Sequence, residues 1–253
     1  MYYTYKKILL TGGSGKLGSA IKNSRFFPNL LTPIRKELDI TNEKIVKDYI
    51  GSHNLEGIIH TAALVDLATC ERNPIDAITT NIVGTANLIR AVLAKNKNIR
   101  FLFISTDQLY DGIKGNFKET DLPNPPNKYG WTKLGAECAV NILPNSCIIR
   151  TSFFIPENVI KNYDDSPDDM YSSKLEINEL VKNISIVYSS NMRGLINIGD
   201  ARMSNYERFS KYKPSIKRIK FKEVQKRISG TTILRDASLD STQWKNWLKK
   251  INK

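Results

Sequence analysis

The segment NKYGWTKLGAE, residues 127–137, places a phenol and an ammonium group four positions apart, at Tyr129 and Lys133. A phenol can exchange a proton, and a nearby ammonium group favours its charged form. The segment contains good helix formers and follows two prolines, so we predict a helix from Tyr129 onward. Residues four positions apart share one face of a helix, which lets both groups act on one ligand. The alternative is an amphipathic surface helix that carries both side chains by chance.

The segment KKILLTGGSGKLGSAI, residues 6–21, predicts a buried strand, a glycine-rich turn and the start of a helix. Gly12 allows a tight turn, Gly15 lets the backbone approach a pyrophosphate, and Gly18 lets the helix pack against the strand. The N-terminus of the helix offers free N–H groups to an anion. We therefore predict a dinucleotide-binding loop here, with a purely structural glycine turn as the alternative.

Strands and helices continue to alternate along the chain, which predicts a Rossmann-type α/β fold with a doubly wound parallel sheet. The further predicted strands are NLLTPI, LEGIIHTAA, RFLFIST and SCIIRTSF, and the further predicted helices are NEKIVKDYIG, capped by Thr41 or Asn42, and residues 74–95. Ligands of such sheets bind at the carboxyl ends of the strands. The glycine loop, Ala62, Ala63, Thr106 and the start of the Tyr129 helix should therefore line one cleft. This convergence favours a functional interpretation of Tyr129 and Lys133, whereas His60, inside a strand, is interpreted as structural.

The composition is that of an ordinary globular protein, with 253 residues and a formal net charge of +13. We expect no signal peptide and no membrane span, because the apolar N-terminal segment is short and no apolar run is long enough. The three cysteines, Cys70, Cys138 and Cys147, lack metal-type spacing. Reduced thiols in a cytoplasmic protein are the simplest account.

Charge is concentrated in two places. Residues 211–227, KYKPSIKRIKFKEVQKR, hold eight basic residues and one acidic residue. A solvated lysine face, a contact to a diphosphate substrate and nucleic-acid binding are the three interpretations, and the last is disfavoured because no base-stacking motif accompanies the charge. The acidic run at Asp164, Asp165, Asp168 and Asp169 is expected to be a solvated loop, and no metal site is predicted.

Three motifs occur in an order that resembles the extended short-chain dehydrogenase/reductase family: TGGSGKLG at 11–18, ISTDQLYDG at 104–112 and YGWTK at 129–133. Within that family the chain is most similar to the dTDP-4-dehydrorhamnose reductase branch, also through HTAALVDLATCERNP, NIVGTANL and RDASLD. The resemblance covers most of residues 5–155. It implies an NAD(P)-binding Rossmann domain with the catalytic helix in residues 1–153. Residues 154–253 are then a small, shortened substrate-binding region, interleaved with the core in one compact unit.

The resemblance implies specific roles for three residues. Tyr129 would donate a proton to a substrate carbonyl oxygen while a nicotinamide delivers hydride to the carbon. A free tyrosine has a pKa near 10, and Lys133 would favour the phenolate and also hold the nicotinamide ribose. Thr106 would hydrogen-bond the same carbonyl and fix its orientation.

The neighbouring residues Asp107 and Gln108 bear on the type of reaction. Nucleotide-sugar 4,6-dehydratases of the family carry glutamate at the position of Gln108, and an amide cannot shuttle a proton as a carboxyl group can. Simple reduction is therefore favoured, and the predicted substrate-binding residues are Thr106, Asp107 and Gln108. Asp107 would contact substrate hydroxyls, or else cap a turn.

The choice of cofactor rests on Arg35 and Lys36, which follow the second predicted strand. NAD enzymes usually place an acid here to bind the ribose 2′-OH, so two cations favour a 2′-phosphate and NADPH. NADH is the alternative if both side chains only face solvent. The predicted cofactor-binding residues are Gly12, Gly15, Lys16, Leu17, Gly18, Arg35, Asp39, Ile40, Ala62, Ala63, Tyr129 and Lys133.

The resemblance thus implies NADPH-dependent reduction of the 4-keto group of a nucleotide-linked 4-keto-6-deoxy sugar, in deoxysugar biosynthesis. The alternatives are another nucleotide-sugar epimerase or reductase, and a non-catalytic NADP-binding regulatory subunit. The expected partner is a nucleotide-diphosphate sugar, and no interaction with a membrane is expected. A homodimer is the oligomer left open. The chain departs from that branch in two places: Ala68 stands in place of an aspartate, and the C-terminal region, which in the family shapes the sugar pocket, is short.

Overall fold

The computed structural model describes residues 7–251 and has a six-stranded parallel sheet at its centre. In the order in which they pair, its strands are β10 (Gly194–Asn197), β5 (Ser146–Arg150), β4 (Arg100–Ile104), β3 (Leu55–His60), β1 (Lys7–Thr11) and β2 (Leu30–Leu31). This arrangement confirms the predicted Rossmann-type fold. Residues 1–6, on which the expectation of no signal peptide partly rests, lie outside the described residues.

Helices connect the strands and cover both faces of the sheet. They are α1 (Lys16–Asn23), α2 (Glu43–Ser52), α3 (Leu67–Arg72), α4 (Pro74–Ala77), α5 (Gly84–Lys95), α6 (Lys128–Val140), α7 (Pro156–Asn162), α8 (Ile177–Ser189), α9 (Asn205–Phe209), α10 (Phe221–Arg227) and α11 (Thr242–Ile251). Asn42 caps α2 through its side chain, which accepts a hydrogen bond from the backbone N–H of Ile45.

The predicted long helix is confirmed over residues 74–95, where α4 and α5 are joined by a π-helical segment, Ile78–Val83. Within residues 7–251 it is the one helix that is long and apolar enough to span a bilayer, and half of its most apolar stretch is buried. Its α5 part packs against α2 and α6. The burial is that of a helix covering a sheet.

Two apolar cores lie on opposite faces of the sheet because successive side chains of a strand point to opposite sides. Ile8 and Leu10 of β1 join the core formed with α1, α8 and Trp244 of α11. Leu9 joins the core formed with α2, α5 and α6. Residues after 153 therefore supply the edge strand β10 and part of one core, and the division of the chain into domains stays a prediction.

Short strands in the second half of the chain form three separate two-stranded sheets. These are β6 (Phe153–Phe154) with β9 (Leu175–Glu176), β7 (Asp165–Pro167) with β12 (Lys217–Ile219), and β8 (Tyr171–Ser172) with β11 (Met203–Ser204). Tyr171 and Ser172 of β8 line one of the cavities described below.

The acidic run, which was expected to be a solvated loop, pairs with the basic segment, for which a solvated face was one of three interpretations, and with Arg235. The ion pairs are Lys213–Asp164 at 3.2 Å, Arg227–Asp165 at 2.8 Å, Lys220–Asp168 at 2.8 Å, Arg218–Asp168 at 3.7 Å and Arg235–Asp169 at 3.5 Å. Sequence alone could not reveal this pairing, because it joins segments about fifty residues apart through the β7–β12 contact.

Candidate active site

The glycine-rich turn after β1 has the conformation and close contacts that require glycine. Gly12 has φ = +75°, and a Cβ there would lie 2.6 Å from the backbone nitrogen of Ala62. A Cβ at Gly18 would overlap the carbonyl group of Gly12, so this residue lets α1 approach the turn. Gly15 is the N-cap of α1 and makes no side-chain cap, which leaves N–H groups of the first turn available to an anion.

A cleft of about 260 Å³ opens beside this turn, and we call it the glycine-loop cleft. Its lining includes Gly12, Gly13, Gly15, Arg35, Asp39, Ile40, Ala62 and Ala63. The structure thus brings most of the predicted cofactor residues together. Lys16 lines a different cavity, Lys36 is exposed, and Leu17 and Gly18 are buried behind the turn.

Arg35 and Asp39 lie at the rim of the cleft, and their side chains contact each other at 3.4 Å. Asp39 also accepts hydrogen bonds from the backbone N–H and the hydroxyl group of Thr41, at 3.0 and 2.8 Å. Burial opposes the effect, but these hydrogen bonds and the charge of Arg35 lower the pKa of Asp39. The guanidinium group of Arg35 is largely exposed and therefore free to meet a second anion at the rim.

His60 lies at the end of β3 and has a structural role, as expected. Its ring nitrogens lie 2.6 Å from the hydroxyl of Thr11 and 2.9 Å from the hydroxyl of Thr85. Burial, together with the charge of Lys133, lowers the pKa of His60 to about 3. The ring is therefore neutral at ordinary pH and links β1, β3 and α5.

Thr106, Tyr129 and Lys133 meet where β4 ends and α6 begins. All three are buried, and the Thr106 hydroxyl group, which donates to Oδ1 of Asp107 at 3.4 Å, lies near enough to Tyr129 to lower its pKa. The ammonium group of Lys133 donates a 2.8 Å hydrogen bond to the carbonyl of Ile104 and lies 4.0 Å from the ring centre of Phe103. The arrangement follows from the fold, because β4 delivers Thr106 to the face of α6 that carries the other two.

The ionisation of this cluster differs from the sequence-based expectation that Lys133 lowers the pKa of Tyr129. Burial raises the pKa of Tyr129, and the hydroxyl group of Thr106 only partly offsets that effect. Burial also lowers the pKa of Lys133 to about 7, against the attraction of Glu137. Tyr129 is consequently protonated at neutral pH, which is the form that can donate a proton.

Gln108 and Asn127 hold Asp107 and Thr106 in place. Gln108 donates from Nε2 to Oδ1 of Asp107 at 2.9 Å and from its backbone N–H to Thr106 Oγ1 at 3.2 Å. Asn127 donates from Nδ2 to Oε1 of Gln108 at 3.5 Å, and its Oδ1 caps α6 by accepting from the N–H of Gly130 at 2.8 Å. Asn127 was not predicted as a site residue, although asparagine directly before a helix is the usual sequence signal of such a cap.

A second cavity, of about 210 Å³, lies in front of Tyr129, and we call it the Tyr129 cavity. Its lining combines polar groups with an apolar wall: Asp107, Gln108, Tyr129, Tyr171, Lys174 and Asn205 with Val65, Leu67, Met170, Ile233 and Leu234. The residues from 170 onward were not predicted, because no motif marks them in the sequence. Ala68, the departure noted above, lies in α3 next to Leu67.

A protein-family model described as the RmlD substrate binding domain matches residues 6–165. The chain belongs to this family. The matched residues contain the glycine-loop cleft and the Thr106, Tyr129 and Lys133 cluster, so the RmlD family assignment and the geometry concern the same part of the molecule.

Individual relatives agree with membership of the RmlD family. The chain is 34% identical over 158 residues to a dTDP-4-dehydrorhamnose reductase of Aggregatibacter actinomycetemcomitans, which covers 60% of this chain and 52% of that protein. It is 30% identical over 168 residues to methionine adenosyltransferase 2 subunit beta of Danio rerio, with 62% and 50% covered. The chain thus spans about half the length of these curated relatives.

Solved structures resemble the chain over nearly its whole length. A hypothetical dTDP-4-dehydrorhamnose reductase from Sulfolobus tokodaii has a TM-score of 0.83 at 28% identity and covers 95% of this chain and 94% of its own. A dTDP-4-dehydrorhamnose reductase from Bacillus anthracis, solved in complex with NADP, has a TM-score of 0.84 at 20% identity, with 95% and 92% covered. The second likeness concerns the fold alone.

A buried ion-pair network supports α6 from behind in this RmlD family member. Arg150 at the end of β5 pairs with Glu137 at 2.6 Å and donates to the hydroxyl of Tyr110, also at 2.6 Å. Glu137 lies one turn after Lys133, so Tyr129, Lys133 and Glu137 share one face of α6. Such a network is costly to break and fixes the rotation of the helix.

Proposed function

We propose that this protein is an NADPH-dependent reductase that acts on the 4-keto group of a nucleotide-linked 4-keto-6-deoxy sugar. The observation that carries the proposal is the approach of Tyr129, which lines the Tyr129 cavity, to Thr106, with Lys133 one turn further along α6. A protonated phenol and a second hydroxyl aimed at one point are suited to a carbonyl oxygen that gains negative charge.

The glycine-loop cleft fits a dinucleotide. Its turn contains backbone that a Cβ would obstruct, and the uncapped N-terminus of α1 suits a diphosphate. Arg35 at the rim suits the 2′-phosphate of NADPH. The Bacillus anthracis reductase, which shares the fold, was solved in complex with NADP. When bound, the cofactor supplies the hydride.

The protein's own residues would supply and control the proton. Tyr129 donates its proton to the carbonyl oxygen as that oxygen becomes an alkoxide, and Thr106 holds the oxygen by a hydrogen bond. The phenolate left on Tyr129 is then stabilised by Thr106, and Lys133, whose pKa is about 7, adds its positive charge when it is protonated. Gln108 offers no acidic proton, so the site has no second acid at that position for an elimination.

The Tyr129 cavity suits a 6-deoxy sugar because it combines polar groups for hydroxyls with an apolar wall for a methyl group. Among the residues it offers, Asp107 is an acceptor and Asn205 carries a donor amide.

The test is turnover with defined substrates. The purified chain is incubated with NADPH and with dTDP- or UDP-linked 4-keto-6-deoxy sugars, and the absorbance at 340 nm is followed. We expect oxidation of NADPH, and a loss of about 10²- to 10⁴-fold in Tyr129→Phe. Tyr129→Phe should still bind NADPH, which separates lost chemistry from lost folding. Full activity in that variant would refute the proposed role of Tyr129.

A non-catalytic regulatory subunit is the second candidate, and the relative from Danio rerio favours it. That relative is named as a subunit of another enzyme, and it is nearly as similar to this chain as the reductase. NADPH binding without turnover on every keto-sugar tried would support the regulatory function and contradict the reductase.

A further inference from the structure

Lys174 occupies a position shared by two cavities. It lies in the connection between β8 and β9, and its side chain lines the Tyr129 cavity. It also lines a cavity of about 90 Å³, together with Lys16 at the start of α1 and Asn158 of α7, which we call the Lys16 cavity. Lys174 therefore lies between the side of the site that carries Tyr129 and the side that carries the glycine-rich turn.

The ammonium group of Lys174 lacks a hydrogen-bond or ion-pair partner among residues 7–251. Its Nζ lies 5.9 Å from the ring centre of Phe209. Asp107 attracts it without forming an ion pair, and Arg208 repels it. Burial, opposed by Asp107 and reinforced by Arg208, lowers the pKa of Lys174.

Arg208, the neighbouring cation, is by contrast paired through both of its terminal guanidinium nitrogens, although its Nε has no partner. It donates to Asp200 at 2.8 Å, to the carbonyl of Ser172 at 3.0 Å and to the carbonyl of Ala201 at 2.9 Å. Arg208 therefore has a structural role that these contacts explain. Lys174 has none of that kind, although a half-buried cation without a partner is costly to the fold.

We propose that Lys174 is a phosphate-binding residue of the site, and that its ammonium group binds an oxygen of a diphosphate held between the two cavities. This inference rests on the proposed function, because the diphosphates it invokes belong to the ligands proposed there, the nucleotide sugar and NADPH. The sugar hydroxyls and the carbonyl group of the substrate are neutral, whereas its diphosphate is fully charged at neutral pH. Lysine binds phosphate as a compact point charge with three donors.

Two ligands of the proposed function contain a diphosphate: the nucleotide sugar and the cofactor. The Tyr129 cavity gives Lys174 access to the first, and the Lys16 cavity gives it access to the second. Separate titrations with UDP or dTDP and with NADPH distinguish the two sources. Both titrations measure binding alone and need no keto-sugar.

The experiment compares the wild-type protein with Lys174→Met, Lys174→Arg and the control Lys182→Met by calorimetric titration of UDP, dTDP and NADPH. Lys182 is an exposed lysine of α8, so its replacement removes the same charge away from the cavities. We expect Lys174→Met to weaken one class of ligand by tenfold or more, with partial recovery in Lys174→Arg. If Lys174→Met loses affinity only for UDP and dTDP, Lys174 binds the diphosphate of the substrate. If it loses affinity only for NADPH, Lys174 binds the diphosphate of the cofactor.

The inference is overturned if Lys174→Met binds all three ligands as the wild type and Lys182→Met do. It is also overturned if Lys174→Met loses turnover while every affinity stays unchanged, since Lys174 would then act on the reaction and not on a phosphate. If the wild type binds neither NADPH nor a nucleoside diphosphate, the proposed function itself fails. These outcomes keep the two failures apart.

Discussion

At the scale of single residues, burial has a greater effect than charge pairing at the centre of the site. Tyr129 and Lys133 are both taken out of water, so the phenol keeps its proton more firmly and the ammonium group loses its proton more easily. A reductase needs the phenol protonated before the reaction and the cation present after it. The structure therefore suits Tyr129 as an acid more than as a base.

The burial of Lys133 predicts a pH-dependent stability. Its pKa is about 7 in the folded protein, against 10.5 for an ordinary lysine, so the unfolded chain binds more protons between these values. The cost of burying the ammonium group is therefore complete below pH 7 and disappears as the pH rises toward 10.5. We expect Lys133→Met to be more stable than the wild type at pH 6, with the advantage shrinking by about 3 kcal/mol at pH 9.5.

Urea unfolding of both proteins at the two pH values measures this difference. The control is Lys128→Met, which removes a half-exposed lysine from the first turn of the same helix. A constant difference between wild type and Lys133→Met across the range would show that Lys133 does not titrate in this window.

Cofactor preference is a second property set by one residue. Arg35 lines the glycine-loop cleft, and Lys36 next to it does not. We expect Arg35→Asp to weaken NADPH by tenfold or more relative to NADH, since a carboxylate would repel the 2′-phosphate and accept from a 2′-hydroxyl. Lys36→Asp is the matched control, with the same change of charge one position away. Equal ratios of NADPH to NADH affinity in all three proteins would remove Arg35 from the cofactor site.

At the scale of elements, α6 carries both the chemistry and the means of its own positioning. Its N-cap residue, Asn127, caps the first turn of the helix with Oδ1 and donates a hydrogen bond to Gln108 from Nδ2. Helix stability and the orientation of Asp107 therefore depend on the same residue through two different atoms. The two roles can be separated by substitution.

We expect Asn127→Ala to lose about 1 kcal/mol of stability together with severalfold in kcat, because both the cap and the contact with Gln108 disappear. Asn127→Ser keeps a cap oxygen but has no amide to donate to Gln108. It should unfold like the wild type in urea and share the loss of kcat in the NADPH assay. A wild-type kcat in Asn127→Ser would mean that the contact with Gln108 does not orient the site.

The elements that the sequence predicts well are those whose signal is local. The strand 7–11, the glycine turn, the helix 74–95 and the position of Tyr129 follow from apolar periodicity, caps and turn residues, and the structure has them at those places. Short strands such as β7 and β8 gave no signal, because two or three residues carry no periodicity. Lys174 and Asn205 come from that region, which is why the sequence did not single them out.

Ionisation and charge pairing were the other part that sequence could not predict. The pKa of Tyr129 depends on how many atoms from distant segments exclude water from it, and no spacing within α6 contains that information. The pairing of residues 164–169 with residues 213–235 likewise depends on the tertiary structure. Both are consequences of packing and not of pattern.

At the scale of the whole molecule, the chain carries +13 and still neutralises part of its most basic segment internally. The β7–β12 contact places the acidic run against that segment, and the region joined in this way supplies one side of the Tyr129 cavity. These ion pairs therefore act between distant segments, unlike the pair Lys44–Asp48, which lies within α2.

Because these ion pairs join distant segments, we expect the double variant Asp165→Asn/Asp168→Asn to be less stable than the wild type, by an amount that depends on salt and pH. Hydrogen bonds from Arg227 and Lys220 lower the pKa values of Asp165 and Asp168 below 3.8, so their stabilising effect is present above that pH and is lost as the pH falls through the lowered values. We expect a lower melting temperature than wild type at pH 7 in low salt, and a smaller difference in 1 M NaCl, where exposed charges are screened. The difference in melting temperature should also close as the pH falls below 3.8.

Asp48→Asn is the control, since loss of its charge affects one helix only. Identical melting curves of wild type and double variant in low salt would show that the paired charges do not hold the two segments together.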